Sequence, residues 1–353
     1  MNLGMPSITI RFIEKGASAI QRGERGVVGL ILRGAAPSVN PAVIVTEADI
    51  VGTWSAANKQ YIKDALVGYT QKPKKILAYF VPTTDTDYSD ALDYFSSQYV
   101  DYLAIPTVNT DELESSVVSW VKNEWENHNQ IIVVMSDTTG DFEGIVNFTT
   151  DDIKVGSNTY TAEQYTPRIA GILAGTPMTM SATFAALNEV DDVERLTKTQ
   201  QDAAVAAGKF ILFFDAEKVK AGTAVTSFTT TTSEKGDSFK KIKLVDTMRQ
   251  ISRDIYTTAR DFYIGKYPNT YDNKVMLCNA IKGYFKQLTD IVENYSIDID
   301  AEANATYLQS KGIDTSSMTT EELRHANTGD KVFLKASMNL VDVMENIDIP
   351  IYI

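Results

Sequence analysis

The sequence contains very little cysteine. Its one cysteine, Cys278, excludes any disulfide within a chain of 353 residues. The surrounding run at residues 275–281 is apolar and helical in pattern, which favours a small buried packing residue over a reactive thiol. No basic segment followed by an apolar one opens the chain, so no signal peptide is predicted. No apolar run approaches the length of about 18 residues that a membrane helix needs, so membrane insertion is not expected. A protein made and kept in a reducing cytoplasm fits these absences.

Basic residues are also in the minority. The 33 Lys and Arg face 46 Asp and Glu, which gives a net charge of −13. Nucleic-acid binders must neutralise phosphates, so direct nucleic-acid binding is not expected. The acidic residues are dispersed along the chain, which indicates a solvated surface and not an acidic tail.

Residue patterns typical of catalysis are scarce as well. The two histidines, His128 and His325, lie in polar sequence and are predicted to be surface residues. The glycines at 23–29 precede a strand instead of joining a strand to a helix, and neither Gly-Lys-Ser/Thr nor Gly-x-Ser-x-Gly occurs. The acidic run at 85–90 departs from a calcium loop, because Asp90 stands at the glycine position and Ser96 at the glutamate position. We therefore predict no catalytic residue, no metal site and no cofactor.

What the sequence does contain is a regular alternation of apolar runs and amphipathic segments. Short, continuously apolar runs are typical of strands covered on both faces. Helical stripes separate them, which implies right-handed crossovers. The predicted fold class is α/β, with a three-layer core and a largely parallel sheet over residues 26–140. The predicted strands are 26–33, 75–81, 102–105 and 131–135.

The second half predicts a different organisation. Residues 141–164 are polar and are predicted to form a surface hairpin excursion with its turn at 155–158. A second, α+β domain is expected over residues 165–330. Its first helix should begin at an N-cap Thr166, with Pro167 in the first turn, and end at Gly175; its small residues allow close packing. A strand at 209–214 is expected to join the same sheet. Two long helices with 4-3-4-3-4 apolar spacing, over 244–262 and 277–295, are expected to form a helix pair.

Both chain ends alternate apolar and polar residues, as half-buried strands do. Residues 1–25 are predicted to be a strand arm and linker, and residues 331–353 C-terminal strands and an arm. Burying four isoleucines contributes roughly 6–12 kcal/mol, whereas fixing seven residues costs about 7–14 kcal/mol of backbone entropy. The last segment must therefore also pair with a sheet, either its own or that of a neighbour. The side chains that would pack are Ile8, Ile10, Phe12, Ile347, Ile349, Ile351 and Ile353.

The order of these elements resembles that of tail sheath proteins from contractile phage tails and phage-tail-like particles, such as R-type bacteriocins and defective prophages. The resemblance is carried by segments in a fixed order, and it is clearest from about residue 165 onward. The segments are 7–12, 168–175, 206–212, 246–266 and 341–347.

The resemblance implies a structural subunit without enzyme activity. It would form hexameric rings stacked helically around an inner tail tube, with baseplate and tail terminator proteins as further partners, and contract to drive the tube through an envelope. Assembly would take place in the host bacterial cytoplasm, and the subunit would reside in a virion or phage-like tail. The terminal arms would add as strands to sheets of neighbouring subunits. The basic cluster Lys240, Lys241 and Lys243 is the candidate tube-facing surface. The alternative is a soluble cytoplasmic α/β enzyme whose terminal strands complete its own sheet.

Overall fold

The apolar runs of the sequence pair with one another as the inner strands of one sheet. The computed structural model describes residues 19–20, 23, 25–138 and 140–352. Its strands are, in chain order, β1 (Val27–Arg33), β2 (Ala42–Ile44), β3 (Lys75–Val81), β4 (Tyr102–Ala104), β5 (Ile132–Ser136), β6 (Ile145–Phe148), β7 (Ile153–Val155), β8 (Asn158–Tyr160), β9 (Lys209–Phe210), β10 (Leu212–Phe214), β11 (Val219–Ala221), β12 (Val292–Ile299) and β13 (Leu334–Leu340). Its α-helices are α1 (Ala56–Val67), α2 (Ser89–Ser96), α3 (Glu114–Glu126), α4 (Ala162–Ala174), α5 (Lys198–Ala206), α6 (Ile242–Thr258), α7 (Tyr271–Gln287), α8 (Ala301–Ser310) and α9 (Thr320–His325).

The central sheet has seven strands in the order β2-β3-β1-β4-β5-β6-β9. Every neighbouring pair is parallel except β2 with β3. In the middle of the sheet, Val28 lies opposite Ile76 on one side and Tyr102 on the other. The predicted largely parallel sheet is confirmed. The single strand predicted over 209–214 divides instead, since β9 joins this sheet and β10 pairs with β11.

Helices cover both faces of the sheet, which gives the predicted three layers. Side chains of β1 alternate between two apolar clusters: Val28 and Leu30 lie in one, Val27 and Ile31 in the other. The first cluster contains apolar residues of α1 and α4, and the second contains those of α2 and α3. Strands buried on both faces read as continuous apolar runs, which is why the sequence located them well.

The thin helix α4 packs against α1 at very short range. A Cβ atom added to Gly171 would lie 2.3 Å from the carbonyl oxygen of Ala65. The predicted start at Thr166 is wrong by one helical turn, because Thr161 caps the helix through the amide of Gln164. Pro167 lacks the N–H that would bond to the carbonyl of Glu163, and the Thr166 hydroxyl donates to that oxygen instead at 2.8 Å. The helix can therefore begin before its proline.

The predicted surface excursion at residues 141–164 is correct only in part. β7 and β8 form an antiparallel hairpin whose turn contains Gly156 at φ 58°. β6, however, is buried in the central sheet between β5 and β9. Its four residues are too few to stand out beside polar flanks, and its one polar residue, Asn147, is used inside the fold, where it accepts the amide of Thr138 at 3.1 Å.

The chain divides into two compact units, one of residues 23–253 with 340–353 and one that contains residues 254–339. The boundary therefore falls inside α6 and not at the predicted position 164/165. In the second unit, α7 lies near the end of α6 and the Tyr284 hydroxyl donates to Asp254 at 2.8 Å. The helix predicted to reach Tyr295 ends at Gln287; Asp290 has φ 66°, and Tyr295 lies in β12, which pairs with β13. Within the described ranges, no helix combines the length and apolarity needed to cross a membrane.

Candidate assembly interfaces

The C-terminal tail, residues 346–352, carries four large apolar side chains that are exposed. It forms neither helix nor strand and pairs with no sheet of the described chain. Ile347, Ile349 and Ile351 are 73%, 71% and 81% exposed, and Tyr352 is 91% exposed. Alternation places the three isoleucines on one side of an extended chain. These side chains have no partner among the described residues, and so they are free to pack against another molecule.

The remaining predicted strand-exchange residues cannot be placed. Ile8, Ile10, Phe12 and Ile353 lie outside the described residues. Their role in strand exchange stays a prediction.

The segment immediately before the tail, residues 341–345, is fastened to the body; we call it the C-terminal root. Lys241 forms salt bridges with Asp342 and with Glu345, the latter at 2.7 Å. Lys243 donates to the carbonyl oxygen of Val341. Burial alone would lower the pKa of Lys241, but the hydrogen bonds and charges of the two carboxylates outweigh it and raise the pKa. The lysine therefore stays charged at neutral pH and holds the root.

A hydroxyl group of the body also holds the C-terminal root. Glu345 accepts a hydrogen bond from the Thr183 hydroxyl at 2.7 Å, and that hydroxyl oxygen in turn accepts the amide of Ala224 at 3.0 Å. Glu345 thus has one carboxylate oxygen on Lys241 and the other on Thr183. Sequence spacing could not reveal this site, because Lys241 and Glu345 are 104 positions apart.

These contacts bear on the predicted tube-facing cluster. Lys243 is buried at 8% exposure, and Lys241 is occupied by the C-terminal root. Lys240 forms a salt bridge with Asp237 at 2.9 Å and keeps part of its side chain exposed. Contact of Lys240, Lys241 and Lys243 with an inner tube stays a prediction that no feature of the described structure supports.

A buried group of charges at the start of α6 was missed at the sequence level. Arg249 donates to Asp101 at 2.9 Å and to Asp246 at 2.5 Å, and all three side chains are at most 4% exposed. Arg25 forms a further salt bridge with Asp246. Burial would raise the pKa of Asp246, but the charges of Arg25 and Arg249 outweigh it and lower the pKa to about 2. The sequence does not reveal this group, because Asp101 lies 148 positions from Arg249 in the chain.

The groups considered for catalysis or metal binding have ordinary structural surroundings. His325 stacks on Tyr271 with ring centroids 3.6 Å apart and lies 3.1 Å from a carboxylate oxygen of Glu321. Cys278 is buried, and burial raises the pKa of its thiol to about 11. Asp87 accepts the amide of Ser89 at 2.9 Å at the start of α2. No group of metal-binding side chains is found within the part of the chain that the structure describes.

Similarity to known proteins identifies the family of the chain. The sequence matches the phage tail sheath protein central domain over residues 82–225 and the phage tail sheath C-terminal domain over residues 234–353. The tail sheath protein of Clostridium phage phiCD119 is 37% identical over 355 residues, with 98% of each chain covered.

Solved structures share the fold. The sheath tail protein Lin1278 from Listeria innocua gives a TM-score of 0.69 at 17% identity, covering 81% of this chain and 91% of that one. A chain from the helical sheath of the anti-feeding prophage in its contracted state gives a TM-score of 0.70 at 14% identity, covering 99% of each. With both domains matched and a relative aligned over nearly its full length, the chain belongs to the phage tail sheath family and is a structural tail protein, not an enzyme.

Proposed function

We propose that this protein polymerises as stacked hexameric rings around an inner tail tube, and that the resulting sheath contracts to drive the tube through a cell envelope. The observation that carries the proposal is the row of exposed isoleucines at residues 347, 349 and 351 on a chain of the sheath family. Large apolar side chains of this kind, set on one side of an extended segment, are typical of an interaction site.

The energetics of the tail favour strand addition to a neighbouring subunit. Burying the three described isoleucines contributes roughly 4–9 kcal/mol, at about 1.5–3 kcal/mol each. Ordering the backbone of residues 347–352 costs about 6–12 kcal/mol. Side-chain burial alone therefore does not hold the tail, and backbone hydrogen bonds to a sheet edge must add to it.

The sheet of β12 and β13 is our candidate acceptor in the neighbouring subunit. It has two strands, so each strand has an outer edge to which no other described strand is bonded. Two-stranded sheets are only marginally stable by themselves, and added strands strengthen them. Ile8, Ile10, Phe12 and Ile353 enter the proposal from the sequence alone, as further members of the exchanged strands.

The other partners are proposed from the family. The similar chains of the anti-feeding prophage occur in a helical sheath and in a baseplate structure, which supports self-assembly and contact with a baseplate here. An inner tube protein and a tail terminator complete the proposed partners, and assembly is proposed to take place in the host bacterial cytoplasm. Direct binding to nucleic acid is not part of the proposal, in keeping with a net charge of −13.

Electron microscopy of negatively stained, purified protein tests the proposal. We expect hollow ridged cylinders or rings from the full chain. Deletion of residues 347–353 should abolish them and leave a soluble, folded monomer. Uniform small particles from the full chain at high concentration would contradict polymerisation, and cylinders from the truncated chain would contradict the role of the tail.

A matched pair of variants tests the predicted face of the tail. Replacing Ile349 and Ile351 by Asp should prevent polymerisation, because charged side chains would then enter an apolar contact. Replacing Pro350 and Tyr352 by Asp adds the same two charges on the alternate side and should be tolerated better. Equal loss in both variants would mean that added charge, and not the isoleucine face, controls assembly.

A further inference from the structure

We infer that residues 241–246, where α6 begins, position both terminal arms: Lys241 and Lys243 fasten the C-terminal root, and Asp246 fastens the N-terminal one. This inference rests on the proposed function of the arms. The two anchor points are only five residues apart, which corresponds to about 8 Å along a helix axis. A pull on one arm would then pass to the other through the start of one helix, without crossing the central sheet.

The C-terminal root is held mainly by ionic contacts that are partly accessible to solvent. The side chains of Lys241, Asp342 and Glu345 are 32%, 32% and 13% exposed. The tail begins directly after Glu345, and its first exposed isoleucine is Ile347. The direction in which the tail leaves the body is therefore set by this root.

The N-terminal root, residues 25–27, is held by the buried carboxylates of Asp101 and Asp246, to which the 20% exposed side chain of Arg25 and two backbone amides bind. Arg25 forms its salt bridge with Asp246 and also donates to the carbonyl oxygen of Thr176. The next two amides, those of Gly26 and Val27, donate to Asp101 at 2.6 and 2.8 Å. Three consecutive residues are thus bonded where the chain enters β1.

Arg249 joins the carboxylates that hold the N-terminal root. It bonds both Asp101 and Asp246, so that the two act as one buried unit. Buried and fully paired charges resist separation strongly, because breaking one pair leaves an uncompensated charge in the interior. Partly exposed pairs are weaker and are screened by salt. The N-terminal root is therefore the fixed anchor, and the C-terminal root is the one that yields first.

Charge reversal at Lys241 tests the C-terminal anchor. In Lys241→Glu, the attraction to Asp342 and Glu345 becomes repulsion. We therefore expect amide hydrogen exchange across residues 341–345 of the monomer to become about tenfold faster. Polymer yield should fall at the same protein concentration. The double variant Lys241→Glu with Glu345→Lys restores one opposite-charge pair and should recover most of both properties.

Lys198→Glu is the matched control, because Lys198 also forms a salt bridge, with Asp202, but is 81% exposed and far from either root in sequence. It should leave exchange at 341–345 and polymer yield unchanged. Equal effects of the two single variants, or a double variant as defective as Lys241→Glu, would overturn the inference. Amide exchange is measured on the monomer, so it tests the C-terminal anchor whether or not the chain polymerises. A wild-type chain that never polymerises would refute the proposed function alone.

Arg25→Met tests the N-terminal anchor with the buried carboxylates still paired to Arg249. We expect about tenfold faster exchange at the amides of Gly26 and Val27, a lower polymer yield and unchanged circular dichroism. Unchanged exchange and yield would overturn the N-terminal half of the inference. If the variant does not fold, Arg25→Gln removes the charge that pairs with Asp246 but keeps a polar side chain, and a wild-type exchange rate there would likewise overturn it.

Discussion

The close approach of α1 and α4 predicts opposite outcomes for one substitution at two helical glycines. Gly171 lies in α4 and Gly283 in α7, both in helix interiors. Around Gly171 an added methyl group would meet backbone atoms of Ala65, whereas nothing lies within 4 Å of the corresponding position at Gly283. The same substitution, Gly→Ala, therefore places a methyl group into occupied space at Gly171 and into open space at Gly283.

The expected magnitudes follow from these distances. At Gly171 the new Cβ would lie 2.3 Å from the carbonyl oxygen and 2.9 Å from the carbonyl carbon of Ala65. Favourable contacts need about 3.5 Å, so the two helices must move apart by roughly 1 Å. No side-chain rotation can relieve a clash with backbone, which puts the cost near the upper end of about 1–3 kcal/mol. The higher helix propensity of alanine stabilises the folded state by about 1 kcal/mol, so the net destabilisation by Gly171→Ala is about 2 kcal/mol.

At Gly283 only the propensity acts. We expect Gly283→Ala to stabilise the unit of residues 254–339 by roughly 0.5–1 kcal/mol.

Urea unfolding of protein that sediments as a monomer measures both effects. The three tryptophans, Trp54, Trp120 and Trp125, all lie in residues 23–253, so their fluorescence reports the unit that contains Gly171. Amide exchange of α7 reports the other unit. A Gly171→Ala protein as stable as wild type would refute the close packing of α1 and α4. A destabilised Gly283→Ala protein would show that this glycine has a neighbour in solution.

The remaining predictions concern charge. Burial raises the pKa of Asp64 to about 6, so its carboxyl group binds a proton more readily in the folded chain, and the resulting stabilisation is lost as pH rises from about 4 through 6. Replacing Asp64 by Asn should therefore reduce the fall in unfolding free energy between pH 5 and 7.5 by roughly 1 kcal/mol in urea titrations. An unchanged dependence of the unfolding free energy on pH would refute the raised pKa. Arg249→Met should destabilise the protein by about 3 kcal/mol, the lower end of the range for a broken buried ion pair, because Asp101 and Asp246 lose their shared partner but keep Arg253 and Arg25 respectively. The exposed control Lys198→Met should change stability by less than about 0.5 kcal/mol, and equal effects would contradict the burial of this group. Polymer yield in sedimentation should rise with salt, because subunits of net charge −13 repel one another, and a steady fall would contradict this.

The fold was predictable wherever burial produces a local pattern. The inner strands β1, β3 and β5 are almost entirely apolar because helices cover both faces, so each can be recognised in the sequence without knowledge of its partners. β6 was not predicted, because four residues between polar loops are too few to form a recognisable apolar run. The stripe that ended at Tyr295 failed for another reason: spacing of 4-3-4 continued by chance through the turn after α7 and into a strand.

The anchors of the two arms could not be predicted, because they depend on contacts between distant residues. In the sequence, Lys241 and Lys243 belong to the basic cluster that is predicted to face the tube, because nothing nearby in the chain identifies a partner for them. Only the fold places them beside residues 341–345 and gives them a role within the chain. The tail itself was visible in the sequence as an alternation, but alternation does not say whether a strand belongs to its own sheet or to another.

Pro350 indicates how a tail with exposed isoleucines can link subunits in a definite way. In a strand, the N–H and C=O groups of successive residues point to opposite edges, so residues 347, 349 and 351 share one edge and 348, 350 and 352 the other. Proline removes a donor from the second edge only. Under the proposed function, the tail would then pair along the first edge and accept one sheet at a time. Because each tail has one usable edge, each subunit would donate to one neighbour, and growth would follow a fixed path in place of branching.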